Sequence, residues 1–248
     1  MHGKHCLTFY LTGFKHMNDN VDSDEIAKFA SLAQHWWDET GELKTLHQIN
    51  PLRVEYIKKN AELESKAVLD IGCGGGILTE SLAKLGAKVT GLDMNLPLIK
   101  VAKLHLLESG LQVNYLHTSA EEHAASHPAQ YDVITCLEML EHVPNPEAII
   151  QACSALVKPG GHLFFSTINR NPKAYLFAIL GAEYILNLIP KNTHHYAKFI
   201  RPSELNAWLN NANLQAKEIT GVAYNPFTQT CKLTTDVSVN YLLHAIKQ

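Results

Sequence analysis

The chain has no excess of either charge, no C-x-x-C pair and no apolar run long enough to cross a bilayer. Each absence removes a class of protein. Among 248 residues, 21 Lys+Arg stand against 24 Asp+Glu, net −3, which argues against a broad nucleic-acid-binding face. The five cysteines (Cys6, Cys73, Cys136, Cys153, Cys231) are odd in number and scattered. They read as reduced thiols, not as a disulfide framework or a structural zinc site. The most apolar stretch, Ala174–Pro190, has 17 residues and carries Glu183 and Asn187. That falls short of the roughly 20 residues that span a hydrocarbon core. Repeats and low-complexity tracts are absent too, and a 46% hydrophobic content suffices for the core of one ordinary α/β domain.

What remains is organised by period. Residues 1–20 read as a disordered leader: an apolar run from Cys6 to Phe14 is interrupted by two Thr and a Gly, no A-x-A site follows, and Met17 is the more natural start. The rest, 21–248, reads as one domain, with N-terminal helices over 21–62. A first helix is capped by Ser23 or Asp24, with Ile26, Phe29, Ala30, Ala33 and Trp37 on one face. Asn50 and Pro51 open a second, through about Asn60. Five strands then alternate with helices: Ala67–Ile71, Lys88–Leu92, Val113–Leu116, Tyr131–Cys136 and His162–Thr167. That alternation predicts βαβ units and a parallel sheet. Lys158-Pro-Gly-Gly161 supplies the turn before the fifth strand, and two late strands, around Gln215–Val222 and Asp236–Leu242, complete the sheet.

The sharpest signal is V-L-D-I-G-C-G-G-G, Val68 to Gly76: a strand, a glycine-rich turn, then a helix. Positions without side chains let backbone N–H groups approach a ligand at a helix N-terminus. Gly72 and Gly74 fit a dinucleotide fingerprint, but its third glycine is Ile77, and no G-K-S/T follows for a P-loop. Asp70, two residues before the first glycine, would repel a pyrophosphate; it suits a ligand carrying an amine and a sulfonium. Asp93 ends the second strand 21 residues after Gly72, where a carboxylate accepts both ribose hydroxyls of an adenosine. S-adenosylmethionine therefore fits better than NAD.

The sequence resembles class I S-adenosylmethionine-dependent methyltransferases. More narrowly, it resembles the O-methyltransferases of ubiquinone biosynthesis, which methylate ring hydroxyls of polyprenylated phenols and catechols. The likeness covers nearly everything after about Val21. It is carried by W-W-D, I-N-P-L-R, V-L-D-I-G-C-G-G-G-I-L, V-T-G-L-D-M, L-E-M-L-E-H-V-P, L-V-K-P-G-G and S-T-I-N-R-N. The glycine turn and E-H-V-P are common to many methyltransferases; W-W-D, I-N-P-L-R and S-T-I-N-R-N are far more specific. The resemblance implies a Rossmann-like, seven-stranded, mostly parallel sheet with helices on both faces, the last strand antiparallel, and an apolar insertion after strand five. It implies cofactor contacts at Arg53, Gly72, Asp93 and Leu137, with Arg53 able to hold a methionine carboxylate bidentately. It also implies a cytoplasmic enzyme peripherally associated with the inner membrane, with a quinone-biosynthesis protein complex as a candidate partner.

Strand four runs into Cys136-Leu-Glu-Met-Leu-Glu-His142 at the ligand-bearing end of such a sheet. Methyl transfer to a phenol needs its proton removed, since a phenol with pKa about 10 is a poor nucleophile while protonated. His142 is a candidate general base, with Glu141 beside it as a second catalytic candidate. Glu138, Glu141 and His142 are also a candidate metal set, and relatives with E-x-x-E-H here show magnesium dependence; Mg²⁺ is thus a candidate second cofactor, although it prefers oxygen ligands. A structural loop is the third reading. His123-x-x-x-His127 reads as two solvated histidines, His194-His195 as a loop, and Cys73 as packing. The apolar residues of about 172–200, among them Leu176 and Ile185 with Lys173 and Lys191 flanking, read as a membrane-surface and substrate lid over 172–195 that guides an isoprenoid tail. A small-molecule O-methyltransferase of another quinone or phenol pathway, an NAD-dependent oxidoreductase and a lipid-binding module are the rival functions.

Overall fold

The computed structural model describes residues 20–175, 196–225 and 228–248. Residues 1–19 of the expected leader over 1–20, and residues 176–195 of the expected apolar insertion over 172–200, His194-His195 included, lie outside them. Two helices, α1 (Ser23–Ser31) and α2 (Lys44–Asn60), precede the sheet. Four βα units and a fifth strand follow: β1 (Ala67–Ile71), α3 (Ile77–Lys84), β2 (Lys88–Asp93), α4 (Leu96–Ser109), β3 (Val113–His117), α5 (Ala120–Ser126), β4 (Tyr131–Leu137), α6 (Pro146–Leu156) and β5 (Val157–Ile168). A single turn α7 (Pro172–Ala174), α8 (Pro202–Asn211), β6 (Leu214–Asn225), β7 (Thr230–Thr234) and β8 (Asn240–Lys247) complete the described chain.

The sheet order is β3-β2-β1-β4-β5-β8-β6-β7, with β1 to β5 parallel and β8 antiparallel to both β5 and β6. Helices cover both faces, which is why β1 and β4 read as nearly unbroken apolar runs. On one face Ile150, Cys153 and Leu156 of α6 and Leu205 and Leu209 of α8 pack against Leu69, Ile134 and Phe165. On the other, Tyr56 and Ile57 of α2 and Leu82 of α3 pack against Val68, Val133 and Phe164. Caps set the helix starts: Ser119 and Glu122 form a capping box on α5, and Asn95 and Asn145 cap α4 and α6 ahead of prolines.

Four expectations need correction. Among the described residues the sheet has eight strands, not seven, because β7 returns along β6 as an antiparallel hairpin. Its five residues, T-C-K-L-T, are mostly polar and lie on the sheet edge, so they carry no alternating apolar signal. Helix α2 begins at Lys44 with Pro51 inside it, so Asn50-Pro51 is not its start. The ring leaves the His47 carbonyl without an N–H four residues on, a cost the helix tolerates because Tyr56 and Ile57 anchor it in the core. Helix α1 is capped by Asp22, whose side chain accepts from the N–H groups of Asp24 and Glu25, and it stops at Ser31. Strand β5 starts at Val157, and the Lys158-Pro-Gly-Gly161 segment is a bulged part of it.

Candidate functional site

The strand order reverses direction between β1 and β4, and ligands of open α/β sheets sit at the carboxyl ends of the strands around such a point. There lies a cavity of about 730 Å³. Arg53, Asp70, Gly72, Gly74, Asp93 and Leu137, brought from α2, β1, the glycine turn, β2 and β4, all line it.

The glycine turn is shaped by backbone needs. Gly72, Gly74 and Gly76 have φ of 71°, 55° and 95°, in the left-handed region that side chains rarely adopt. A Cβ on Gly75 would come within 2.2 Å of the Trp36 ring, and one on Gly72 within 2.6 Å of Met139. The N–H groups of Gly72, Cys73 and Gly74 are committed to β2, which corrects the expectation that these donors point at a ligand. Gly72 and Cys73 donate to the Leu92 carbonyl at 2.8 and 2.9 Å, and Gly74 donates to Asp93 Oδ2 at 2.8 Å.

Asp70 is buried, and each of its oxygens accepts a hydroxyl: Oδ2 from Thr79 at 2.6 Å and Oδ1 from Thr135 at 2.7 Å. Burial lifts its pKa to about 6 against the pull of those two hydroxyls. Asp93 is half-buried at the end of β2, where its oxygens accept from Gly74 and, at 2.7 Å, from the N–H of Asn95. Burial raises its pKa as well. Two backbone donors aim this carboxylate and leave lone pairs for a diol. Arg53 is buried and donates from Nη2 to Glu138 Oε1 at 2.8 Å, while its Nε–H has no partner among the described residues. An unmatched guanidinium N–H in the cavity wall and a carboxylate held at a strand end fit the carboxylate and ribose of S-adenosylmethionine.

The E-x-x-E-H segment does not converge as a metal set. Glu138 has φ of 52°, strained for a residue with a side chain, and its Oε1 receives both Arg53 and, at 2.7 Å, the Ser166 hydroxyl. Glu141 is buried outside the cavity wall; Thr167 donates to its Oε2 at 2.8 Å and its Oε1 has no partner among the described residues. Burial, reinforced by the charge of Glu138, pushes its pKa up to about 8. His142 lines the cavity from the short turn Leu140–His142, and its Nδ1 meets Glu25 Oε2 at 3.1 Å. The backbone turns each of the three toward a different partner, and among the described residues no three His, Cys, Asp or Glu group as metal ligands. Magnesium therefore does not fit these side chains as they stand.

Sequence reasoning missed several residues of the site. Glu25 is buried on α1, where burial would raise its pKa, yet hydrogen bonds from His142 and Lys28 hold it down to about 2. Trp36 packs on the glycine turn, and Trp37 Nε1 donates to the Gly75 carbonyl at 2.9 Å. The W-W-D motif is the signal that could have marked them. His123, expected in solvent, is instead buried, with its Nε2 at 2.7 Å from the Tyr131 hydroxyl and its ring stacked on His127. Cys73 is buried packing, as expected, and burial pushes its thiol up.

A family model described as a methyltransferase domain matches residues 45–219. The ubiquinone biosynthesis O-methyltransferase of Saccharophagus degradans is 62% identical over 229 residues, covering 92% of this chain and 97% of its own. That of Stutzerimonas stutzeri is 59% identical, covering 92% and 99%. Among solved structures, magnesium protoporphyrin IX methyltransferase from Synechocystis PCC 6803 with bound SAH superposes with a TM-score of 0.62 at 17% identity, over 90% of this chain and 94% of that one. A Bacillus halodurans protein titled a putative methyltransferase superposes at 0.58 and 20% identity, over 78% and 98%. The two structures share the fold; identity near 60% along almost the whole length says more. The chain is an S-adenosylmethionine-dependent methyltransferase of class I fold and belongs to the family of ubiquinone biosynthesis O-methyltransferases.

Proposed function

We propose that the chain methylates a ring hydroxyl of a polyprenylated phenol or catechol, with His142 as the general base and Glu25 as the group that orients it. The observation that carries this reading is the contact of His142 Nδ1 with Glu25 Oε2 at the cavity wall. A carboxylate accepting from Nδ1–H leaves Nε2 as the basic nitrogen. Asp93 and Arg53 hold the donor's ribose and carboxylate, with Asp70 and Leu137 in the wall between. S-adenosylmethionine supplies an electrophilic methyl group whose bonding pair returns to sulfur. His142 takes the phenolic proton as the oxygen lone pair forms the new O–C bond, so no covalent enzyme intermediate is needed. The buried Glu141, with its raised pKa, supports the turn beneath His142 through Thr167.

The lipid tail of such an acceptor supports a reaction at the cytoplasmic surface of the inner membrane, and so does the apolar sequence of 172–195. No helix of the described residues is long and apolar enough to cross a membrane. Liposome co-sedimentation that is lost when Leu176 and Ile185 become Glu supports this half of the reading; unchanged binding refutes it.

The chemistry is tested by methyl transfer from labelled donor to a short-tailed catechol. His142→Ala lowers the rate by about 10²- to 10⁴-fold, and chelation leaves the wild-type rate intact. A His142→Ala enzyme at full rate, or a wild type silenced by chelator and restored by Mg²⁺, overturns it.

A further inference from the structure

Glu25 is a buried carboxylate contacted from three directions. Its Oε2 is shared by His142 Nδ1 at 3.1 Å and Lys28 Nζ at 2.9 Å, and its Oε1 lies 3.5 Å from Lys198 Nζ. Lys28 sits on the same helix, three residues on, so it moves with Glu25. Lys198 comes from elsewhere in the chain. It ends the short turn Tyr196–Lys198 and also donates to Asp22 Oδ2 at 2.7 Å, at the cap of α1.

The turn that carries Lys198 is fixed to the sheet. Phe199 and Ile200, the next two residues, are 1% and 2% exposed. The N–H of Ile200 donates to the Ile168 carbonyl at the end of β5 at 2.9 Å, and the Tyr241 hydroxyl of β8 donates back to the Ile200 carbonyl at 3.1 Å. Lys198 thus projects from a rigid base onto the first turn of α1, where one ammonium bridges two carboxylates one helical turn apart. Its tie to Oε1 sets the rotation of the Glu25 carboxylate and so the direction from which Oε2 meets His142. A carboxylate orienting an imidazole works only when its own rotation is restrained.

We infer that Lys198 is a positioning residue for methyl transfer, acting through Glu25 on His142. This rests on the reading of His142 as the base. Lys198 need not touch the acceptor or the donor; its role is to keep α1 and the Glu25 carboxylate in register with the turn after β4.

The test is a double-mutant cycle on the full chain, with labelled S-adenosylmethionine and a short-tailed catechol as probes. Lys198→Met is expected to lower kcat by about 10- to 100-fold with KM for the donor unchanged, since the glycine turn is untouched. Lys198→Arg, which keeps the charge and the reach, restores most of kcat. In a Glu25→Gln background Lys198→Met adds little, because the two act in series. Lys198→Gln serves as a second removal of the charge, and its kcat is expected to fall in the same way. Full kcat in both Lys198→Met and Lys198→Gln, or losses that multiply independently of Glu25, overturn the inference. His142→Ala, run alongside, separates the two levels. Full activity in that variant defeats the base reading itself, whereas an inactive His142→Ala beside fully active Lys198 variants defeats the positioning role alone.

Discussion

Thr79 donates its hydroxyl to Asp70 across 2.6 Å, joining the first turn of α3 to β1 behind the glycine turn. Neither residue is open to solvent, and Asp70 has one other hydroxyl donor, Thr135. Replacing Thr79 with Val keeps the shape and deletes one of two donors to a buried carboxylate. Such a loss costs about 1–3 kcal/mol. Urea denaturation is expected to show a lower midpoint with an unchanged slope, and donor affinity falls as the turn loosens; an unshifted midpoint contradicts the account.

Glu141 gives the fold a pH dependence with a definite sign. The folded chain keeps a proton, up to about pH 8, that the unfolded chain releases near 4.5. The resulting stability is complete below 4.5 and is lost as pH rises through that window, by about 1.4 kcal/mol per pH unit. Glu141→Gln cannot ionise, so the difference in unfolding free energy between variant and wild type should move in the variant's favour from pH 5 to 8. A flat difference would show that Glu141 titrates normally.

Trp36 leaves no room for a methyl group on Gly75. Gly75→Ala is expected to weaken S-adenosylmethionine binding at least about tenfold by displacing the indole from the cavity wall. Pairing it with Trp36→Ala should recover part of that loss relative to the sum of the single changes, as calorimetric titration of each variant would reveal.

Arg53 carries an unmatched Nε–H beside its bond to Glu138. Lys keeps the charge but not the planar fork, so Arg53→Lys is expected to raise KM for the donor by about tenfold with a smaller change in kcat. Equal loss in both parameters for donor and acceptor would assign Arg53 to the fold instead of the donor carboxylate.

The parallel half of the molecule was legible because buried strands and amphipathic helices alternate with clear turn residues. The strand over 67–71 was bounded correctly, and the glycine turn and Asp93 announced themselves by spacing. Strand β6 was foreseen, but β7 was hidden because a short polar edge strand has no face to bury. Pro51 misled because a proline after Asn ordinarily opens a helix, and here tertiary packing holds a longer one around it. Within the site, glutamates and histidine were visible as types but not in their directions. Glu25 and His142 meet across 117 residues of sequence, a pairing that no local pattern encodes. The N–H groups of the glycine turn were read as ligand donors, yet β2 lies close enough to claim those of Gly72, Cys73 and Gly74.

One consequence concerns assembly. Strand β8 follows β6 and β7 in the chain but lies between them and β5. Tyr224 and Cys231, which line the cavity from the β6–β7 hairpin, therefore join the sheet of β1–β5 only through β8. A nascent chain can shape its glycine turn on the ribosome well before it owns a complete binding chamber.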